Sequence, residues 1–303
     1  MNHRNTIEFD DDSKMPISEF SLDEMSANPS IVIIAKRGSG KSFVAKAILQ
    51  KYKNIPVGII ISPTEADNPF YSNFFPDAYI YHEYNSSIIK KLLFRQKLIL
   101  KKAKEKKESG KYIDPRAIVV MDDCLASKGT WNKDPPIQDL LFNGRHRQIM
   151  YILIMQFPLA IKPELRVNFD YVFLLADSQR NNLRKIHEHY AGMFPTFESF
   201  QQIFSDLTED YGCMVIKNRD TGNSLFDKIA FYKAPDLRNI HQKFGCDQFK
   251  KFDEMNFNRD WEEKKFAIDY NDMLLNKKRS KERVGVKKIF KNDDDQSKKI
   301  KTD

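Results

Sequence analysis

The chain has 303 residues, of which 41% are hydrophobic and 30% charged, with 23 Phe and 12 Tyr; this is enough apolar material for a sizeable core and excludes general disorder. Fifty basic against 42 acidic residues leave a net charge of +8, and three widely spaced cysteines, Cys124, Cys213 and Cys246, exclude a disulfide framework or a paired-cysteine zinc knuckle. No apolar run reaches the roughly 18 to 20 residues of a membrane span and no secretory leader is visible, so no membrane span and an intracellular location are expected.

Residues 1–28 read as a polar N-terminal extension. Ile31-Val32-Ile33-Ile34 is continuous, short and β-branched, the pattern of a parallel strand buried on both faces. It runs directly into Ala35-Lys36-Arg37-Gly38-Ser39-Gly40-Lys41-Ser42, after which Ser42 to Tyr52 has helical spacing. Strand, glycine-rich loop and helix in that order make a P-loop, with Ala35 where the motif usually has its first glycine. The glycines let successive backbone N–H groups curl around phosphates, and the helix adds the partial positive charge of its N-terminus. Nucleotide contacts are expected from Ala35 through Phe43. Lys41 is expected at the β- and γ-phosphates and the Ser42 hydroxyl on Mg²⁺.

Further strands are predicted at Val57 to Ile61, Ala117 to Met121, Tyr151 to Met155 and Tyr171 to Leu175. Helical spacing at Ser86 to Lys107, Ile137 to Arg147 and Gln179 to Tyr190 alternates with them, which predicts an α/β fold with a mainly parallel sheet and helices on both faces. The lysine-rich stretch Lys97 to Lys111 reads as an exposed helix end and loop with a possible role against nucleic acid. Cys213 to Lys217 and Ser224 to Phe231, flanking a turn-rich hexapeptide from Asn218, predict a late hairpin. The P-loop domain is assigned to residues 29–250 and a charged segment to 251–303. From Lys277 onward eleven basic residues face five acidic ones, a net +6, with little apolar periodicity, so this tail is expected to be disordered.

A P-loop needs an acidic partner at the tip of a neighbouring strand, and Ala117 to Met121 ends in Asp122-Asp123. Asp122 is the expected carboxylate on the metal side and Asp123 the general base that polarises water. The Asn-Lys-x-Asp spacing of a guanine reader is absent, since Asn132-Lys133-Asp134 places its Asp one position early; adenine nucleotide, ATP, is therefore expected. Tyr151 to Met155 ends in Gln156, a polar tip suited to sensing the γ-phosphate or orienting water. Together these motifs select the P-loop NTPases in which an extra strand lies between the P-loop strand and the acidic-pair strand.

Arg145, four residues before the Gln156 strand, completes a pattern that resembles the FtsK and HerA family of DNA-pumping ATPases. More narrowly, Asp122-Asp123, Gly144-Arg145-His146 and Arg166-Val167-Asn168-Phe169-Asp170 resemble the genome-packaging ATPase of poxviruses and other nucleocytoplasmic large DNA viruses, over about Ile31 to Leu175. The resemblance implies a homo-oligomeric ring that hydrolyses ATP with Mg²⁺ and moves double-stranded DNA into a capsid. Capsid or portal components would be its partners, and the host cytoplasm, viral factory or virion its place. It also implies that Arg145 enters the neighbouring subunit's site, with Arg147 and Arg166 as alternatives. Two residues depart from the pattern: Ala35, and Asp123 where many relatives carry Glu. On the residues alone a second reading stays open, a P-loop protein that uses nucleotide as a switch or assembly signal and pumps nothing.

Overall fold

The computed structural model describes residues 16–124, 131–219, 222, 224–258 and 260. The chain divides into two compact units, Met1–Asn256 and Phe257–Asp303. The second lies almost entirely outside the described residues, and the basic tail from Lys277 lies wholly outside them.

The first unit runs β1 (Ser30–Ile34), α1 (Lys41–Lys51), β2 (Val57–Ile61), β3 (Ile80–Tyr81), α2 (Ser86–Glu108), β4 (Ala117–Asp122), α3 (Pro135–Asn143) and β5 (Ile149–Met155). It continues with α4 (Pro163–Arg166), β6 (Tyr171–Leu175), α5 (Arg180–His189), α6 (Phe197–Leu207), β7 (Gly212–Lys217), α7 (Leu225–Lys228), β8 (Ile229–Lys233) and α8 (Asp247–Asn256). The strands form one sheet in the order β3-β2-β4-β5-β1-β6-β7-β8. Pairing is parallel from β3 to β6, and β7 joins both its neighbours antiparallel. The extra strand between the P-loop strand and the acidic strand is therefore β5, as the sequence predicts.

Every residue of β1, β4, β5 and β6 is buried, which is why their sequences are continuously apolar instead of alternating. The period of two is still at work inside the sheet. Val32 and Ile34 join a core with Ile89 and Leu92 of α2, Leu140 of α3, Ile186 of α5 and Phe204 of α6. Ile31 and Ile33 join the opposite core with Val44 and Ile48 of α1 and Phe249 of α8. Burying each such side chain contributes about 1.5–3 kcal/mol, so the sheet is a firm platform for whatever stands on its edges. Among the described residues no helix is long and apolar enough to cross a membrane.

Two predicted segments change form. Helix α3 stops at Asn143, short of Arg147, because the chain folds back on itself at Gly144: a Cβ there would meet the Leu140 carbonyl at 2.5 Å, and Ile149 N–H returns to Gly144 O at 2.8 Å. Arg145 and Arg147 therefore stand on a turn. The final strand begins at Ile229 and not at Ser224, since Ser224 and Asp227 form a capping box that winds α7 first. The hairpin itself is present as β7 and β8. Among the described residues four helices go beyond the predicted set, α4, α6, α7 and α8. Part of the N-terminal extension also packs with the sheet: Phe20 is buried, and its N–H reaches Phe231 O of β8 at 2.7 Å.

Candidate active site

Parallel strands that end together bring their following loops to one edge. Ile34 is paired with Met155 and Asp122 with Ile154, so the P-loop, the acidic pair and Gln156 all emerge at the C-terminal edge of the sheet. The loop from Ala35 to Gly40 turns through left-handed backbone at Gly38 (φ 81°) and Gly40 (φ 95°), conformations glycine adopts readily. Ala35 is buried in the core beneath α1 and its N–H donates to Met155 O at 3.0 Å, so the residue that replaces the usual glycine serves as a packed anchor. Ser39 Oγ donates to Lys36 O at 2.7 Å and Lys36 Nζ to Ser178 Oγ at 3.1 Å.

Lys41, the first residue of α1, reaches across to β4: its Nζ lies 3.1 Å from Asp122 Oδ1 and 4.0 Å from Asp123 Oδ2. Gln156 Nε2 donates to Asp123 Oδ2. The structure thus brings Lys41, Asp122, Asp123 and Gln156 into one contact network. Asp123 holds its position with φ 54°, a conformation uncommon for residues with a side chain, and its N–H donates to Ile154 O at 3.1 Å. Burial raises the Asp122 carboxyl above the ordinary carboxylate range, an effect opposed by the Lys41 ammonium and by hydrogen bonds to the carboxylate.

One of those hydrogen bonds comes from a residue the sequence motifs do not mark. Tyr71 is buried and its hydroxyl donates to Asp122 Oδ2 at 2.9 Å. Burial, together with the neighbouring Asp122, raises that phenol well above its usual range, so it remains a donor. Tyr71 is delivered by a loop folded around Glu65, whose buried carboxylate accepts the N–H groups of Phe70, Tyr71 and Ser72 at 3.0, 3.1 and 2.9 Å. No fixed spacing links Glu65 or Tyr71 to the P-loop; only the pairing of β2 with β4 brings them to it. Lys41, Asp122, Asp123, Gln156, Tyr71 and Glu65 border a cavity of about 1000 Å³ together with Arg37, Gly38, Gly40, Ser42 and Phe43, whereas Ala35, Lys36 and Ser39 of the predicted nucleotide contacts do not line it.

The arginines lie elsewhere. Arg145 precedes β5 whereas Gln156 follows it, and seven residues of strand separate the two by about 23 Å. Arg145 Nη2 pairs with Asp170, which is also ion-paired with Arg219, its Nε at 3.3 Å, and accepts from Ser30 N–H at 2.8 Å. These groups border a second cavity of about 370 Å³ at the N-terminal edge of the sheet. The Arg145 side chain is 51% exposed. Arg147 is tied to Asp139 through Nη2, at 2.6 and 2.8 Å from its two carboxylate oxygens. Arg166 is buried, with Nε donating to Ile161 O at 2.8 Å and its guanidinium over the Tyr190 ring.

Strand order decides the class: with β5 lodged between β1 and β4, the fold is that of a P-loop NTPase of the extra-strand kind. The chain belongs to the poxvirus A32 family, whose model, described as Poxvirus A32 protein, matches residues 17–191. It is 43% identical over 249 residues to an uncharacterised protein of Acanthamoeba polyphaga mimivirus, covering 82% of this chain and 87% of that one. An uncharacterised protein of Invertebrate iridescent virus 3 is 34% identical over 262 residues, covering 81% and 96%. Among solved structures, the genome packaging NTPase B204 from Sulfolobus turreted icosahedral virus 2, in complex with sulfate, superposes with a TM-score of 0.51 at 19% identity. That match covers 69% of this chain and 98% of B204. The pCW3 conjugation coupling protein TcpA matches with a TM-score of 0.50 at 14% identity, over 76% of this chain and 73% of TcpA. At these identities the two structures speak for the shared fold.

Proposed function

We propose that the chain is an ATP-hydrolysing motor that moves double-stranded DNA into viral capsids, working as a ring of identical subunits. The observation that carries this reading is the contact network in which Lys41 faces Asp122 and Asp123 while Gln156 holds Asp123, in a chain of the poxvirus A32 family. B204, a genome packaging NTPase of the same fold, points in the same direction.

In this reading the backbone N–H groups from Lys36 to Phe43 cradle the phosphates and Lys41 leaves Asp122 for the β- and γ-phosphate oxygens. Asp123 takes the proton of the attacking water, and Gln156, already bonded to Asp123, orients that water. The donor set suits Mg²⁺: the Ser42 hydroxyl and the Asp122 carboxylate are hard oxygens bordering one cavity, and a nucleotide-bound Mg²⁺ takes only one or two protein oxygens beside phosphate and water. When bound, the ion would neutralise charge on the phosphate oxygens. Ser42 and Asp122 would hold it, with Tyr71 fixing the carboxylate. Asp123→Asn is expected to slow turnover by about 10² or more with nucleotide binding retained. Loss of binding in that variant would exchange the roles of the two acids.

Arg145 stands too far from its own subunit's P-loop to act there, and its side chain, paired with Asp170, is half exposed and accessible to a neighbour. A ring in which one subunit's N-terminal edge meets the next subunit's C-terminal edge would carry Arg145 into the adjacent site. The test of the whole reading is steady-state ATP hydrolysis with and without long duplex DNA. Strong stimulation by duplex is expected. A rate indifferent to DNA, with nucleotide retained tightly, would assign the chain to a nucleotide switch.

A further inference from the structure

The phosphate cradle occupies only part of its cavity. At about 1000 Å³ the cavity is at the upper end of small-molecule sites, and its remaining wall is formed by Tyr211 and by Lys233, Ala234, Pro235, Asp236 and Arg238. The topology explains how these residues arrive there. β7 runs antiparallel to β6 and β8 antiparallel to β7, so the start of β7 and the end of β8 both lie at the edge where β1 releases the P-loop; Gly212 is paired with Lys233.

Tyr211 has two properties of a residue kept for contact with a ligand. It is a large aromatic side chain left 65% exposed, and it follows Asp210 in a pair of consecutive left-handed residues, φ 47° and 62°, a conformation that Asp tolerates but that is costly for a bulky residue such as Tyr. The strained pair is pinned to the far wall, since Asp210 pairs with Lys233 Nζ. The ring borders the P-loop directly: a Cβ on Gly40 would lie 3.4 Å from Tyr211 Cδ1. Across the same wall Arg238 clamps Asp236 with Nε at 3.0 Å from Oδ1 and Nη2 at 2.6 Å from Oδ2. That clamp holds the Asp236 carboxyl down at about 2, so it is an ionised acceptor throughout the physiological range.

We propose that Tyr211 is the stacking platform for the purine base of the nucleotide, and that the Lys233–Arg238 segment faces the base edge, with the Asp236 carboxylate accepting from an exocyclic amino group. The proposal rests on the phosphate-cradle reading and extends it to the part of the nucleotide that no P-loop residue contacts. A phenol ring and a base share flat π surfaces, and each stacked base is sensitive to loss of its aromatic partner by about tenfold or more. The phosphate chain makes no such contact.

The experiment compares ATP with inorganic tripolyphosphate, both with Mg²⁺, on the full chain by calorimetry or ligand-observed titration. Tyr211→Asn is the informative variant because Asn tolerates left-handed backbone, so the turn is kept while the ring is lost. ATP affinity is expected to fall about tenfold or more in Tyr211→Asn with tripolyphosphate affinity unchanged, and Tyr211→Phe is expected to bind both like the parent. ATP affinity within twofold of the parent in Tyr211→Asn would overturn the proposal. An equal loss for both ligands would also overturn it and make Tyr211 a support for the loop. Tripolyphosphate binding that ignores Lys41→Ala would instead overturn the phosphate-cradle reading, and the base subsite with it.

Discussion

Lys41→Ala is expected to reduce ATP hydrolysis by on the order of 10³, the loss that follows removal of a preorganised charge from a water-poor transition-state site. The structure gives the reason in two parts. The ammonium is the one charged donor from α1 that already lies 3.1 Å from the acid at the tip of β4, so it needs only a small excursion to reach phosphate oxygens in the same cavity. Its removal also strips Asp122 of the positive neighbour that opposes the effect of burial, leaving the carboxyl with Tyr71 alone and pushing it further toward the protonated form. Lys41→Met, which keeps the stem and removes the charge, is expected to match Lys41→Ala. Steady-state turnover measures both, and activity within twofold of the parent would remove the P-loop from the mechanism.

Arg145→Ala is expected to lower turnover by about 10³ to 10⁵ in the assembled protein, the contribution of an arginine that neutralises charge at a transferring phosphoryl group. A structural role makes a different forecast. Arg145 pairs with Asp170, but Asp170 keeps Arg219 Nε at 3.3 Å and Ser30 N–H at 2.8 Å when that guanidinium is gone, so the local fold is expected to survive. The separation of about 23 Å along β5 means that any catalytic action must cross a subunit boundary. Mixing Arg145→Ala subunits with Lys41→Ala subunits therefore distinguishes the two roles. Each variant alone is expected to be nearly inactive, yet mixed assemblies place an intact P-loop against an intact Arg145 at some boundaries and recover activity. Mixed assemblies that form and stay inactive would leave Arg145 as a surface partner of Asp170.

What could be read from the sequence follows from how each part of the site is encoded. The P-loop, the Asp122-Asp123 pair and Gln156 each sit next to a run of buried strand residues, so the strand and its functional tip appear together in the primary structure. Even the place of β5 between β1 and β4 could be inferred from its polar tip. Tyr71 and Glu65 are a different case. They lie in a stretch with no periodicity, and their relation to Asp122 depends on β2 pairing with β4, a contact between segments far apart in the chain. Tyr211 and Asp236 depend on two successive reversals of strand direction, which a hairpin pattern alone does not place beside the P-loop. Helix α6 carried a readable signal, with Thr196 capping its first turn and Phe197, Phe200 and Phe204 spaced along one face.

The resemblance to packaging ATPases implies a longer Glu at the position of Asp123. The Asp123 backbone sits at φ 54°, in a region that Asp and Asn enter several times more readily than other side chains do. The shorter acid is therefore a backbone preference before it is a chemical one. A Glu at this position would gain a methylene of reach and lose the conformation that aims it, and the hydrogen bond from Gln156 to the Asp123 carboxylate would have to be rebuilt around a longer arm. Acid length and strand-tip geometry form a matched pair here. Exchanging one without the other, as in Asp123→Glu, would leave that carboxylate misdirected even though every ionisable group had been preserved.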